Sequence, residues 1–102
     1  MSRKILPEEA RKFLGDVKSD KRFWVNNGSV LKNLDELLGA LNTMSNETFQ
    51  YHANSKKNDF SKWIGDVIND KMLAESIINA KIQKAMIKKI DFRIRQLRKV
   101  VN

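Results

Sequence analysis

The fold is decided by residues 71–102, KMLAESIINAKIQKAMIKKIDFRIRQLRKVVN. This stretch contains no Gly and no Pro, the residues that most often interrupt a helix. Apolar side chains recur in it at steps of mostly three or four, which is typical of an amphipathic helix. They are Leu73, Ile77, Ile78, Ile82, Ala85, Met86, Ile90, Ile94, Leu97 and Val101. We therefore predict one continuous helix over residues 71–101, with an apolar side that packs on the rest of the chain.

A second series of side chains along this stretch is positively charged. Residues 71–102 carry nine basic and two acidic side chains, a net charge of +7 against +8 for the whole chain. Lys and Arg on one helix face suit contacts with phosphates, which position a polyanion without reading its bases. The alternative is a solvated face that only aids solubility. The predicted polyanion-binding residues are Lys81, Lys84, Lys88, Lys89, Arg93, Arg95, Arg98 and Lys99.

The apolar side of the same helix allows two interpretations. Ile87, Ile90, Ile94, Leu97 and Val101 alternate three and four residues apart, which is the spacing of a coiled-coil seam. An unbroken helix would extend about 45 Å at 1.5 Å per residue, which is longer than the rest of the chain needs to cover. Its outer turns are therefore expected either to pair with a second copy in a homodimer or to pack on the N-terminal helix. The sequence does not decide between them.

The remaining chain indicates a mostly α fold of about five helices in a single domain over residues 1–102, with its core in residues 7–77. Residues 1–6 form a short basic lead, and Pro7 before two Glu residues favours a helix start. Asn33, Ser45 and either Asn58 or Asp59 are suitable caps for further helices. The predicted helices before the last one cover residues 7–17, 34–43, 46–53 and 59–68.

A short β-hairpin is predicted over residues 23–31. Phe23-Trp24-Val25 and Ser29-Val30-Leu31 flank Asn26-Asn27-Gly28, and Asn-Gly readily adopts the positive φ angles of a two-residue hairpin turn. A structured loop is the alternative, because the strands would be very short. Trp24 follows Lys21 and Arg22, so stacking on a base and burial in the core are about equally expected for it. Core packing is favoured for Trp63.

Several short motifs follow one another between residues 23 and 77. They are the Asn-Gly turn followed by VLKNLDEL at 30–37, Ala40-Leu41 with Met44, FQYH at 49–52, NDFSKWIGDV at 58–67 and DKMLA at 70–74. With these motifs, about half of the chain resembles a small archaeal and bacterial domain family of unknown function. The resemblance implies a compact, mostly helical module. It implies no activity, so no catalytic residue follows from it.

His52 is the only histidine and Asp59 follows it closely, which makes a polar pocket the main candidate for a small-ligand site. In one interpretation Asp59 orients His52 as a general base. In the favoured interpretation the imidazole bridges two helices, since catalysis needs further convergent groups. One His and no Cys leave no recognised spacing for a metal, so no metal and no cofactor are expected.

Composition excludes several classes of function. The chain of 102 residues has no cysteine, and four scattered glycines cannot form a phosphate-binding or dinucleotide-binding loop. No apolar run approaches the ~20 residues that span a bilayer, and the N-terminal charges do not suit a signal peptide. We therefore expect a cytoplasmic, non-enzymatic module whose partner is nucleic acid or the ribosome. Contact with an anionic membrane surface is a weaker alternative, because the apolar face carries little aromatic character.

Overall fold

A computed structural model describes residues 4–102, so residues 1–3 of the predicted basic lead lie outside the described residues. The described chain contains six α-helices and one two-stranded antiparallel sheet, which confirms the prediction of a mostly helical domain. The helices are α1 (Pro7–Leu14), α2 (Leu34–Thr43), α3 (Asn46–His52), α4 (Asp59–Trp63), α5 (Lys71–Ile77) and α6 (Gln83–Val101). The strands are β1 (Phe23–Trp24) and β2 (Val30–Leu31). Ser19–Lys21 form a 3₁₀ turn, and α4 continues as a π-helical segment over Ile64–Ile68.

Capping side chains set the starts of the middle helices. The side chains of Asn33, Ser45 and Asn58 each accept a hydrogen bond from the backbone N–H three residues further on. Each bond satisfies one of the free donors in the first turn of its helix. Asp59, the alternative cap for α4, is instead the first residue of that helix. The bounds of α2 therefore match the prediction, whereas α1 ends at Leu14, three residues before its predicted end.

The predicted hairpin is present, with Phe23 paired to Leu31 and Trp24 to Val30. Its turn is longer than the two-residue form expected from Asn-Gly. The N–H of Gly28 donates to the carbonyl of Val25 at 2.9 Å, and within the turn only Gly28 has a positive φ, of 98°. A four-residue turn that ends in a left-handed glycine restores the twist of the two strands.

One hydrophobic core joins all six helices and the hairpin. Its centre is an aromatic cluster in which Phe60 lies between Phe23 and Phe49, with ring centroids 5.2 and 5.9 Å apart. The last helix, α6, packs mainly against α1, α2 and α5. The core therefore extends beyond residue 77, where we predicted it to end. The side chains that α6 adds to it are Met86, Ile90, Ile94 and Leu97.

The prediction of one continuous helix over residues 71–101 is wrong. The first of the two helices there, α5, ends at Ile77 and the second, α6, begins at Gln83, so they are separate helices. Between them Ala80 is buried, and its N–H donates to the carbonyl of Ile77 at 2.9 Å. The apolar spacing continued through the break, which is why the periodicity did not reveal it.

Long-range capping stabilises the break. The Asn58 side-chain amide donates to the carbonyls of Ile77 and Ile78 at 2.9 and 3.3 Å, so the carbonyls at the end of α5 are satisfied from another element. On the other side, the Gln83 amide donates to the carbonyls of Leu41 and Met44 at the end of α2. Helix ends need such partners, and tertiary contacts supply them here without a Gly or Pro.

Candidate nucleic-acid interface

Four basic side chains of α6 share one exposed strip. At 3.6 residues per turn they fall within about 60° of the helix circumference, opposite the buried side. At 1.5 Å per residue the strip extends about 22 Å along the helix axis. We call it the cationic arc, and it consists of Lys84, Lys88, Arg95 and Lys99, all of them exposed.

Within the cationic arc only Arg95 makes an ion pair with another described residue. Its Nε lies 3.2 Å from Oδ2 of Asp91, one turn earlier on the same helix. An exposed pair of this kind contributes little to stability and is easily exchanged for another anion. Three lysines and one weakly paired arginine thus leave the outer face of α6 strongly positive.

Arg93 is not part of this surface, although we predicted it as a polyanion contact. It is only 6% exposed, and its guanidinium binds Asp70 through two bonds, Nε to Oδ2 at 2.7 Å and Nη2 to Oδ1 at 2.8 Å. Its Nη1 donates to Oε1 of Gln96 at 2.8 Å. Asp70 also caps α5, by accepting the N–H of Leu73. The charge of Arg93 is therefore compensated inside the protein. The bonds from Arg93 to Asp70 join α6 to the start of α5.

Three further predicted contacts lie outside the cationic arc. Arg98 binds both carboxylate oxygens of Asp35 at 2.6 Å, which ties α6 to α2 at the surface. Lys81 precedes α6, and its Nζ donates to the carbonyl of Asn54 at 3.3 Å. Lys89 is exposed on another side of α6, facing α5. The predicted set of eight therefore separates into an arc, two tethered cations, a buried one and Lys89.

The predicted coiled-coil seam is used within the chain. Ile90, Ile94 and Leu97 are buried in the core, and Ile87 and Val101 pack partly buried against it. These side chains cover α1, α2 and α5, which matches the intramolecular alternative. Ile90, Ile94 and Leu97 are unavailable to a second copy in this fold, and a homodimer stays a prediction that these three buried side chains do not support.

His52 is enclosed by protein and only 4% exposed. Its Nδ1 lies 3.0 Å from Oδ2 of Asp59, and its Nε2 accepts the backbone N–H of Asn26 at 2.9 Å. An Nε2 that accepts a hydrogen bond carries no proton, so Nδ1 is the nitrogen that donates to Asp59. The imidazole thus links α3, α4 and the hairpin turn, which is the bridging role we favoured. Neither ring nitrogen is left for a substrate.

Asp59 is stabilised in its charged form. Partial burial alone would raise the pKa of this carboxyl group. The hydrogen bonds from His52 and Lys57, together with the positive charge of Lys57, outweigh burial and lower the pKa below its ordinary value of 3.8. The Nζ of Lys57 lies 3.0 Å from Oδ2 of Asp59 and also sits over the Tyr51 ring, 4.7 Å from its centroid. This cluster secures the loop between α3 and α4.

The two tryptophans differ in environment. Trp63 is buried, as predicted, and its Nε1 donates to the carbonyl of Lys21 at 2.8 Å. Trp24 is 73% exposed and lies beside Val30 on the outer face of the hairpin. A cavity of about 430 Å³ lies elsewhere, between α5 and α6, beside the exposed ring of Phe92. This cavity could not be predicted from the sequence, because it exists only if the two helices are separate.

No group of three or more His, Cys, Asp or Glu side chains is placed to hold a metal ion within residues 4–102. None of the helices in the same range is both long enough and apolar enough to cross a membrane. Comparisons with known proteins found no matching family model, no matching curated protein and no matching solved structure.

Proposed function

We propose that this protein is a non-enzymatic module that binds nucleic acid through the cationic arc of α6. The observation that supports the proposal is the alignment of four exposed cations on a single rigid helix. Core packing of the opposite side holds that helix in place, so the charges keep their spacing without a ligand. Cations that a helix already holds in a row lower the entropy cost of binding a phosphate backbone.

Because α5 and α6 are separate helices, the proposed binding surface is shorter and has fewer cations than we predicted from the sequence. The basic rod is α6 alone, of 19 residues, rather than a helix over residues 71–101. The charge of Arg93 is compensated by Asp70 inside the protein, and Arg98 and Lys81 lie off the arc, where Arg98 pairs with Asp35 and Lys81 donates to a backbone carbonyl. About four phosphate contacts on a single strand correspond to a slope of about −3 in a plot of log K against log salt concentration.

A charge-reversal experiment tests the proposal. Lys84→Glu combined with Lys88→Glu should weaken binding of labelled RNA or DNA at least tenfold, and should flatten the salt dependence. The matched control is Lys56→Glu combined with Lys62→Glu, which changes the net charge equally at exposed positions away from α6. Fluorescence anisotropy measures the affinities, and circular dichroism checks the fold of both variants.

Two results would contradict the proposal. The first is the absence of binding to both RNA and DNA at low salt. The second is equal weakening by the arc and control variants, because net charge alone would then explain the binding.

A further inference from the structure

The break before α6 opens a groove between α5 and α6. Its apolar part is formed by Met72, Leu73 and Phe92, and its polar part includes Lys88, Lys89 and Gln96. A second cavity of about 370 Å³ shares Lys89 with the first and continues the groove toward the break. Together the two cavities form a trough with an apolar floor beside the cationic arc. Lys88 lines this trough and is also a member of the arc.

The uncompensated charges that line the groove are all positive. No Asp or Glu lines either cavity, and the one arginine that does, Arg93, is neutralised by Asp70. Lys88 and Lys89 make no ion pair with another residue of the described range. A complementary ligand therefore combines an apolar part with a negative one.

Phe92 adds a flat surface to this combination. It is 68% exposed and lies four residues after Lys88, three after Lys89 and four before Gln96. Side chains at these spacings are neighbours on a helix, about 5–6 Å apart at Cβ. Gln96 accepts a bond from Arg93 through Oε1, and its amide nitrogen makes no hydrogen bond to a described residue, so that nitrogen can donate to a ligand carbonyl. An aromatic face, a free amide donor and two ammonium groups match the base and the phosphate of one nucleotide.

We propose that an unpaired base stacks on Phe92 in the groove between α5 and α6, so that the preferred ligand of this protein is single-stranded nucleic acid. This inference rests on the proposed function, because the phosphates on either side of the base follow the cationic arc. A duplex keeps its bases stacked on one another, so it can meet the arc but cannot fill the groove. Stacking of single bases on aromatic side chains is a general mode of single-strand binding.

The test compares ligands that share charge but differ in accessible bases. The probes are oligouridylate and oligothymidylate of about 12 nucleotides, a duplex of the same length and a polyphosphate without bases. Phe92→Leu should weaken binding of the single strands about tenfold and leave the polyphosphate within about twofold. Phe92→Trp should retain single-strand binding, and the fluorescence that it adds to that of Trp24 and Trp63 should be quenched by the bound base. Tyr51→Leu, which removes an exposed aromatic ring outside the groove, is the control and should bind like the parent chain.

The outcomes separate this inference from the proposed function. Equal affinity for single strands and duplex, or no effect of Phe92→Leu on single strands, overturns the base-binding groove. The proposed function still stands if the Lys84 and Lys88 substitutions weaken binding. Failure of all probes to bind overturns both. The two oligonucleotide arms also show whether RNA or DNA is preferred.

Discussion

Removal of Arg93 should destabilise the fold strongly, because it would leave a buried charge without its partner. Asp70 is only 1% exposed, and two of its hydrogen bonds come from the Arg93 guanidinium. In the variant Arg93→Met the aliphatic part of the side chain is preserved and the charge is lost. The carboxylate of Asp70 would then retain only the N–H of Leu73.

The expected loss follows from that geometry. Removing one partner of a buried pair costs about 3–5 kcal/mol, because the remaining ion is desolvated without compensation. For a domain of about 100 residues this lowers the melting temperature by about 15–25 °C. Combining Arg93→Met with Asp70→Asn should recover about 2 kcal/mol, since a neutral pair no longer buries an isolated charge and Asn remains a good helix cap.

Urea denaturation followed by tryptophan fluorescence, which changes on unfolding because Trp63 is buried, measures the free energy of unfolding. The matched control is Arg95→Met, which removes an arginine from the same helix but breaks only the exposed pair with Asp91. This control should stay within about 0.5 kcal/mol of the parent chain.

The reasoning is refuted if Arg93→Met costs less than about 1 kcal/mol, or if it costs no more than Arg95→Met. It is also refuted if the double variant loses the sum of the two single losses. Additivity would mean that Asp70 and Arg93 do not interact energetically.

Three further predictions follow from other contacts. Asn58→Ala removes both the cap of α4 and the hydrogen-bond donors to the end of α5. Its free energy of unfolding, measured by urea denaturation, should therefore fall by more than the ~1 kcal/mol of an ordinary cap. A loss below ~0.5 kcal/mol would argue that Asn58 does not stabilise the end of α5. The lowered pKa of Asp59 means that its charge stabilises the fold above pH 3.8 and that this stabilisation is lost as pH falls through the lower, folded-state pKa. Asp59→Asn should therefore flatten the pH dependence of unfolding in that acidic range, and an unchanged slope would contradict this role. Ile94→Asp should unfold the chain, because it places a charge in the buried core. If light scattering instead shows that the parent chain is a dimer and that this variant is a folded monomer, the coiled-coil interpretation would be restored.

Much of the fold could be predicted because its signals are local. Asn33 caps α2 through the third N–H after it, and the Asn-Gly pair favours a hairpin wherever strands flank it. The apolar spacing within α6 correctly placed Met86, Ile90, Ile94 and Leu97 on its buried side, although Arg93, predicted among the exposed cations, lies on that side as well. For the same reason, the alignment of Lys84, Lys88, Arg95 and Lys99 follows from helical geometry as soon as that segment is helical.

The sequence by itself determined the helical class, most helix starts and the uneven charge that makes the carboxyl end positive. Only the tertiary structure decided where the last helix begins, which cations remain free and where a groove forms. The reason is physical. The end of α5 is stabilised by Asn58 and the charge of Arg93 by Asp70, and both partners lie about twenty residues away along the chain. No local pattern encodes a partner at that separation, because it comes into contact only when the core has packed.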